Sequence, residues 1–212
     1  MSIWSRRGVP VFGRRDPWLY GVMRILFAFV LTPLFHVRGS GDEATPRSGG
    51  VILAVTHKSW FDPCFAGMAF RRNLRFMAKS ELFQNKAFAT LITQLGAVPI
   101  KRQSADIEAL KTALGLIASG EMFLMFPEGH RFHDDVVHEF QPGVAMLAVR
   151  SGAPVLPVAI RGSARLVPFS SRVRVAIGAP VDLSGIEGKR SEVYAQATLR
   201  IREAVTRLYD RT

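Results

Sequence analysis

The feature that most constrains the fold of this chain is that its apolar segments are continuous rather than alternating. Val51–Val55, VILAV, is a run of strand length with no polar residue in it. A strand with apolar side chains pointing both ways must be covered on both faces, which is the situation of parallel strands under helices. Met122–Phe126, MFLMF, and Val155–Ile160, VLPVAI, read the same way. Shorter strands are expected over Leu74–Ala78, Ala97–Ile100 and Val173–Ile177.

Helical patterns fill the intervals. Asp62-Pro63 has the form of an N-cap followed by proline in the first turn. Glu81–Leu95 has helical spacing and stops at Gly96. Ser104–Ser119 is expected as a helix capped by Ser104, with Ile107, Leu110, Leu114 and Ile117 as its apolar stripe. Gly143–Val149 and Glu192–Tyr209 complete the set, the latter amphipathic. This alternation predicts an α/β fold, a mixed, largely parallel sheet flanked by helices. At 212 residues the chain fits one such domain.

Ahead of the sheet lies Trp18–Val37, WLYGVMRILFAFVLTPLFHV, preceded by Arg6, Arg7, Arg14 and Arg15 with no acid among the first fifteen residues. A single span has the length it needs, about 20 residues. Arg24 inside the run and Pro33 near its end fit better a helix or helical pair dipping into one leaflet, with Arg24 snorkelling. The expected division is residues 1–40 as a basic, membrane-inserting segment and 41–212 as the α/β domain, with Arg38–Gly50 as linker. The arginines favour the cytoplasmic side. The formal charge of +11 with 48% hydrophobic residues points to an anionic lipid surface as partner rather than nucleic acid, for which no reading helix or stacking platform is evident. The lone Cys64 excludes an internal disulfide and a thiolate metal site, and reads as a small buried residue.

Two polar blocks follow apolar strands. His57 stands just after Val51–Val55, with Asp62 five residues on; Pro127-Glu128-Gly129-His130-Arg131 follows Met122–Phe126. Functional groups in open α/β sheets gather beyond the carboxyl ends of strands, so parallel strands would bring both blocks to one edge. A neutral imidazole accepts a proton at physiological pH, and a carboxylate on its other nitrogen fixes the tautomer. A glutamate and an arginine on a glycine turn can anchor a polar or phosphorylated substrate. Asp62 as a plain helix cap is the competing reading.

The order of four blocks resembles the glycerolipid acyltransferase family, the 1-acylglycerol-3-phosphate O-acyltransferases and their relatives. The blocks are His57 to Asp62; Gly96-Ala97-Val98-Pro99-Ile100-Lys101-Arg102; Phe126-Pro127-Glu128-Gly129-His130-Arg131; and Val155-Leu156-Pro157-Val158-Ala159-Ile160. Phe140-Gln141-Pro142-Gly143 stands between the last two. The resemblance implies acyl transfer to the free hydroxyl of 1-acyl-sn-glycerol 3-phosphate, forming phosphatidic acid. His57 would be the general base and Asp62 its orienting partner. Arg102, Glu128 and Arg131 would hold the acceptor head group, with Lys79 and Lys101 as further candidates, and Gly129 would let the backbone turn tightly. The donor would be acyl-CoA or acyl-carrier protein, with no metal or cofactor required. The family's threonine is His130 here, which leaves another lysolipid or glycerol 3-phosphate open as acceptor. His130, His133, Asp134, Asp135 and His138 raise a metal-dependent hydrolase as an alternative, and a non-catalytic membrane-binding protein is another.

Overall fold

A computed structural model describes residues 17–100 and 105–212. Arg6, Arg7, Arg14, Arg15, Lys101, Arg102 and Ser104 lie outside the described residues. Among the described residues the helices and strands run in order: α1 (Pro17–Phe35), β1 (Arg38–Ser40), β2 (Val51–Val55), α2 (Asp62–Ala69), β3 (Leu74–Lys79), α3 (Lys86–Gln94), β4 (Ala97–Ile100), α4 (Ala105–Ala118), β5 (Met122–Met125), α5 (Gly143–Ser151), β6 (Val155–Arg161), β7 (Arg174–Ile177) and α6 (Arg190–Arg211).

The strands form one sheet in the order β1-β7-β6-β2-β5-β3-β4. β2 lies at its centre, parallel to β5 and β6, with Leu53 level with Leu124 on one side and Leu156 on the other. β3 is parallel to β5 and β4. The pairing of β6 with β7 is antiparallel, and β1 then runs parallel to β7. The sheet is therefore mixed and largely parallel.

The continuous apolar run of β2 is explained by two cores. Val51, Leu53 and Val55 point into one layer with Phe65 and Ala66 of α2 and Leu31 and Phe35 of α1. Ile52 and Ala54 point into the other, with α4, α5 and α6 supplying Ile117, Val144, Leu147, Ile201 and Val205. All five β2 residues are fully buried. Full burial of each Val, Ile or Leu stabilises by about 1.5–3 kcal/mol.

The Arg38–Gly50 segment is more than a linker. Arg38–Ser40 is an edge strand, followed by a 3-10 turn at Asp42–Ala44. Gly41 makes this possible: its φ is +93°, and a Cβ there would meet the carbonyl oxygen of Ile177. Three residues centred on glycine give no periodic signal, so the strand is set by its tertiary partner. The expected Glu81–Leu95 helix is two pieces, a 3-10 turn over Ser80–Phe83 and then α3. Asn85 restarts the helix by accepting from the Phe88 N–H at 3.1 Å.

The N-terminal segment is one helix, apolar on both sides. Its inner side packs on the domain: Tyr20, Leu31 and Phe35 are buried. The Arg24 guanidinium does not snorkel. It donates to the carbonyls of Phe70 and Arg71 at 2.9 and 2.8 Å, where the C-terminal end of α2 leaves acceptors unfilled. The outer side exposes Trp18, Val22, Ile25, Leu26, Phe29 and Val30. Trp18–Phe35 is long and apolar enough to cross a membrane by length and composition.

Candidate active site

β2 and β5 are parallel neighbours, so the residues following them emerge at one sheet edge. His57 follows β2 directly. Asp62 opens α2, but its carboxylate does not cap that helix. It turns back, and Oδ2 accepts three hydrogen bonds: from the Lys58 N–H at 2.6 Å, the Ser59 N–H at 2.7 Å and His57 Nδ1 at 3.1 Å. With Nδ1 donating, the Nε2 lone pair is free to accept a proton. The His57 ring stacks on Phe126 at 3.7 Å between centroids, which fixes its plane. Asp62 is fully buried, while the His57 side chain keeps 17% of its surface exposed. The pair leaves one side of the imidazole open to solvent and its other nitrogen held by a carboxylate.

Glu128 joins the two blocks. Its Oε1 accepts from the His57 N–H at 3.0 Å. Its Oε2 takes Lys58 Nζ at 3.1 Å and the His138 N–H at 3.4 Å. The Phe132 N–H donates to the His57 carbonyl at 3.1 Å, a second tie across the same gap. Glu128 is 2% exposed and Lys58 1%. Lys58 also donates to the Val136 carbonyl, and Asp134 lies 3.6 Å from Nζ. Sequence reasoning did not single out Lys58, because a lone lysine beside a histidine looks like surface. The only hint was its position inside the His57–Asp62 block.

Gly129 turns the chain with φ +74°, as the turn position requires. Arg131 lies over the Trp60 ring with its guanidinium carbon 3.2 Å from the centroid. Its Nη1 is buried without a hydrogen-bond partner. Partial burial lowers the Arg131 pKa and the nearby Asp62 charge acts against that shift. Lys79 ends β3 at the same edge of the sheet and is exposed. Burial, reinforced by the Asp62 charge, pushes the Cys64 thiol up to about 11.

The histidine-rich loop after Gly129 is held by its own pairs. His138 Nε2 meets the Asp134 carboxylate at 2.9 Å, holding that carboxyl below its usual range, and the ring stacks on Phe132. Asp135 accepts from the Tyr209 hydroxyl at 3.2 Å. His130 and His133 point outward and are exposed. Among the described residues no group of three or more His, Cys, Asp or Glu side chains is arranged to hold a metal ion.

Residues 36–161 match the family model described as Acyltransferase. The 1-acyl-sn-glycerol-3-phosphate acyltransferase of Streptococcus pneumoniae is 31% identical over 93% of this chain and 75% of its own length. That of Bacillus subtilis is 30% identical over 73% of this chain and 80% of its own length. The crystal structure of the 1-acyl-sn-glycerophosphate (LPA) acyltransferase PlsC from Thermotoga maritima superposes with a TM-score of 0.72 at 27% identity, covering 90% of this chain and 80% of that one. A chain that matches this model over most of its sheet, and carries a histidine–carboxylate pair at the edge that the match includes, is an acyltransferase, and it belongs to the family of the 1-acyl-sn-glycerol-3-phosphate acyltransferases.

Proposed function

We propose that the protein transfers an acyl group from acyl-CoA or acyl-carrier protein to the free hydroxyl of 1-acyl-sn-glycerol 3-phosphate, giving phosphatidic acid, with His57 as general base. The observation that carries this reading is the His57–Asp62 pair, in which Nδ1 is held by a buried carboxylate while the imidazole keeps 17% of its surface exposed. Nε2 takes the proton as the hydroxyl oxygen attacks the thioester carbonyl. The C–S bond then breaks, and the thiolate leaves and takes a proton. Asp62 stabilises the imidazolium formed between these steps. The thioester is already activated, so this route asks for no metal or cofactor.

Arg131 is the phosphate ligand in this reading. It is held flat on Trp60 with Nη1 unpaired, and a guanidinium binds phosphate through paired hydrogen bonds. Lys79 and, beyond the described residues, Lys101 and Arg102 are the further cations of the head-group site. Glu128 has both oxygens engaged by the protein, so its role is to position His57 rather than to touch the acceptor. A largely apolar cleft between α1 and α2, lined by Tyr20, Phe27, Pro63, Cys64, Met68 and Phe76 together with Arg24, suits a hydrocarbon tail. The outer side of α1 lies in the bilayer interface. Because its inner side is fastened to α2, the helix lies along the domain surface rather than standing across a membrane.

Thiol release from oleoyl-CoA, with and without oleoyl-lysophosphatidate, tests the proposal. Release should need the acceptor and fall by about 10²–10⁴ in His57→Ala, while vesicle binding persists. Release unaffected by His57→Ala would refute the base assignment. Release with a different lysolipid but not with lysophosphatidate would move the acceptor.

A further inference from the structure

The loop between β6 and β7 exposes two apolar side chains on a rigid frame. Val167 is 54% exposed and Phe169 72%. Phe169 adopts φ +62°, the left-handed region that glycine or asparagine enters freely and a bulky residue does not. The conformation is enforced by hydrogen bonds. The Ser171 hydroxyl accepts from the Val167 N–H at 2.8 Å and donates to the Arg165 carbonyl at 3.0 Å. The Ser171 N–H donates to the Val167 carbonyl at 3.0 Å. Leu166 is partly buried and packs against the core cluster that contains Leu31 and Phe35. A phenyl ring held outward by a strained backbone, with no packing partner to reward it, calls for an occupant outside the chain.

The loop is also seated on the C-terminal end of α1. The Phe169 N–H donates to the Leu34 carbonyl at 2.6 Å and the Val173 N–H to the Phe35 carbonyl at 3.0 Å. His36 Nδ1 lies 3.2 Å from the Ser171 carbonyl. β6 runs parallel to β2, so the loop leaves the sheet at the His57 edge. Exposed Trp60 and Phe61 lie at that edge too, and the Phe61 and Phe35 rings are 6.3 Å apart. From Gly162 to Ile177 every ionisable side chain is an arginine: Arg165, Arg172 and Arg174, all exposed.

We propose that the Leu166–Ser171 loop is a second lipid-inserting element, a wedge that enters an anionic bilayer beside α1 and sets the height of His57 above it. The inference rests on the attachment through α1 proposed above. The occupant is lipid because the loop is bonded to the C-terminal end of the apolar helix α1 and every ionisable side chain of its own segment is an arginine, which complements phospholipid head groups. A protein held at the surface by one apolar helix alone is free to roll about the axis of that helix. A second point of entry, off that axis, fixes the roll and therefore the direction in which the sheet edge faces.

The test uses the full chain carrying Phe169→Cys and Cys64→Ala, labelled with the polarity-sensitive fluorophore NBD, and vesicles of phosphatidylcholine with phosphatidic acid. The expected result is a rise in emission on adding vesicles and quenching by lipids with a nitroxide in the upper acyl chain. Phe169→Gly, which relieves the strained φ, should retain the thermal midpoint yet lose about ten-fold in vesicle partitioning, as removal of one inserted phenyl group implies. Vesicle binding with an unchanged, unquenched label would overturn the wedge and leave the α1 attachment standing. No vesicle binding at all would overturn both. A concentration-dependent rise without lipid would assign the patch to a second copy of the chain and overturn the lipid assignment.

Discussion

The arrangement of hydrogen bonds around Asp62 makes Asp62→Asn a sharper probe than its usual use. In a histidine–carboxylate pair the asparagine variant is ordinarily severe because the amide can turn its NH₂ toward the imidazole and trap the wrong tautomer. Here the same oxygen that holds His57 Nδ1 also accepts from two backbone N–H groups, at 2.6 and 2.7 Å. Turning the amide would leave both N–H groups facing donors, at about 1–3 kcal/mol each. The other oxygen, Oδ1, has no hydrogen bond to lose, and the NH₂ can stand there. The asparagine oxygen is therefore pinned, and His57 keeps its acceptor and its tautomer. What is lost is the charge. A hydrogen bond to a charged group contributes about 1–2 kcal/mol more than a neutral one, which corresponds to a roughly 5- to 30-fold fall in kcat. Acceptor-dependent thiol release measures it directly. If Asp62→Asn is as inactive as His57→Ala, the amide has turned and the pinned-oxygen argument is wrong.

Lys58→Met should leave the Glu128 carboxylate buried without its cation, at about 3–5 kcal/mol, and lower the thermal midpoint by roughly 6–20 °C for a domain of this size. Pairing it with Glu128→Gln should cost less than the sum of the two single changes; additive losses, or a shift of a degree or two in Lys58→Met, would show that the pair is not coupled. Cys64, whose thiol is pushed up to about 11, should react with iodoacetamide far more slowly than a free thiol at neutral pH. Its rate should climb with pH up to that range, because only the thiolate attacks. Labelling at the rate of a free thiol in the native protein would contradict the burial.

The legible parts of this chain are those where one physical requirement fixes the sequence pattern. β2 had to be apolar on both faces because it is the central strand, and VILAV states as much without help from any partner. α6 shows its inner stripe in the same way, with Ala197, Ile201 and Val205 buried. In α4 the expected stripe holds at Ile117 and partly at Leu110 and Leu114, but Ile107 is 69% exposed and Ala113 and Leu116 take the inner face instead. The edge strand β1 left no such trace, because Arg38, Gly39 and Ser40 bury no side chain and are strand only by pairing with Arg174, Val175 and Ala176. In the site, His57 and Asp62 were visible as a pair because they stand only five residues apart, the second at a helix start that can fold back on the first. The partnership of Lys58 with Glu128 was not, since it spans 70 positions and nothing in either residue announces the other. Arg24 was misplaced for a related reason. Inside an apolar run a charge reads as a snorkelling one, and the carbonyl ends of α2 that receive it come from elsewhere in the sequence.

The sheet order has a consequence for how the chain is made. β1 is the first strand in sequence and β7 the last, yet they are neighbours. On the ribosome β1 has no partner until the region around Arg174 has emerged, and by then α1 has long been outside. Pairings this distant in sequence close slowly, and an apolar helix waiting for its domain is prone to aggregate unless something covers it. A nearby bilayer would take up that helix during the wait. Synthesis without membranes should therefore yield a chain whose first and last strands are the slowest to gain protection from hydrogen exchange, and vesicles added during synthesis should raise the soluble yield more than vesicles added afterwards.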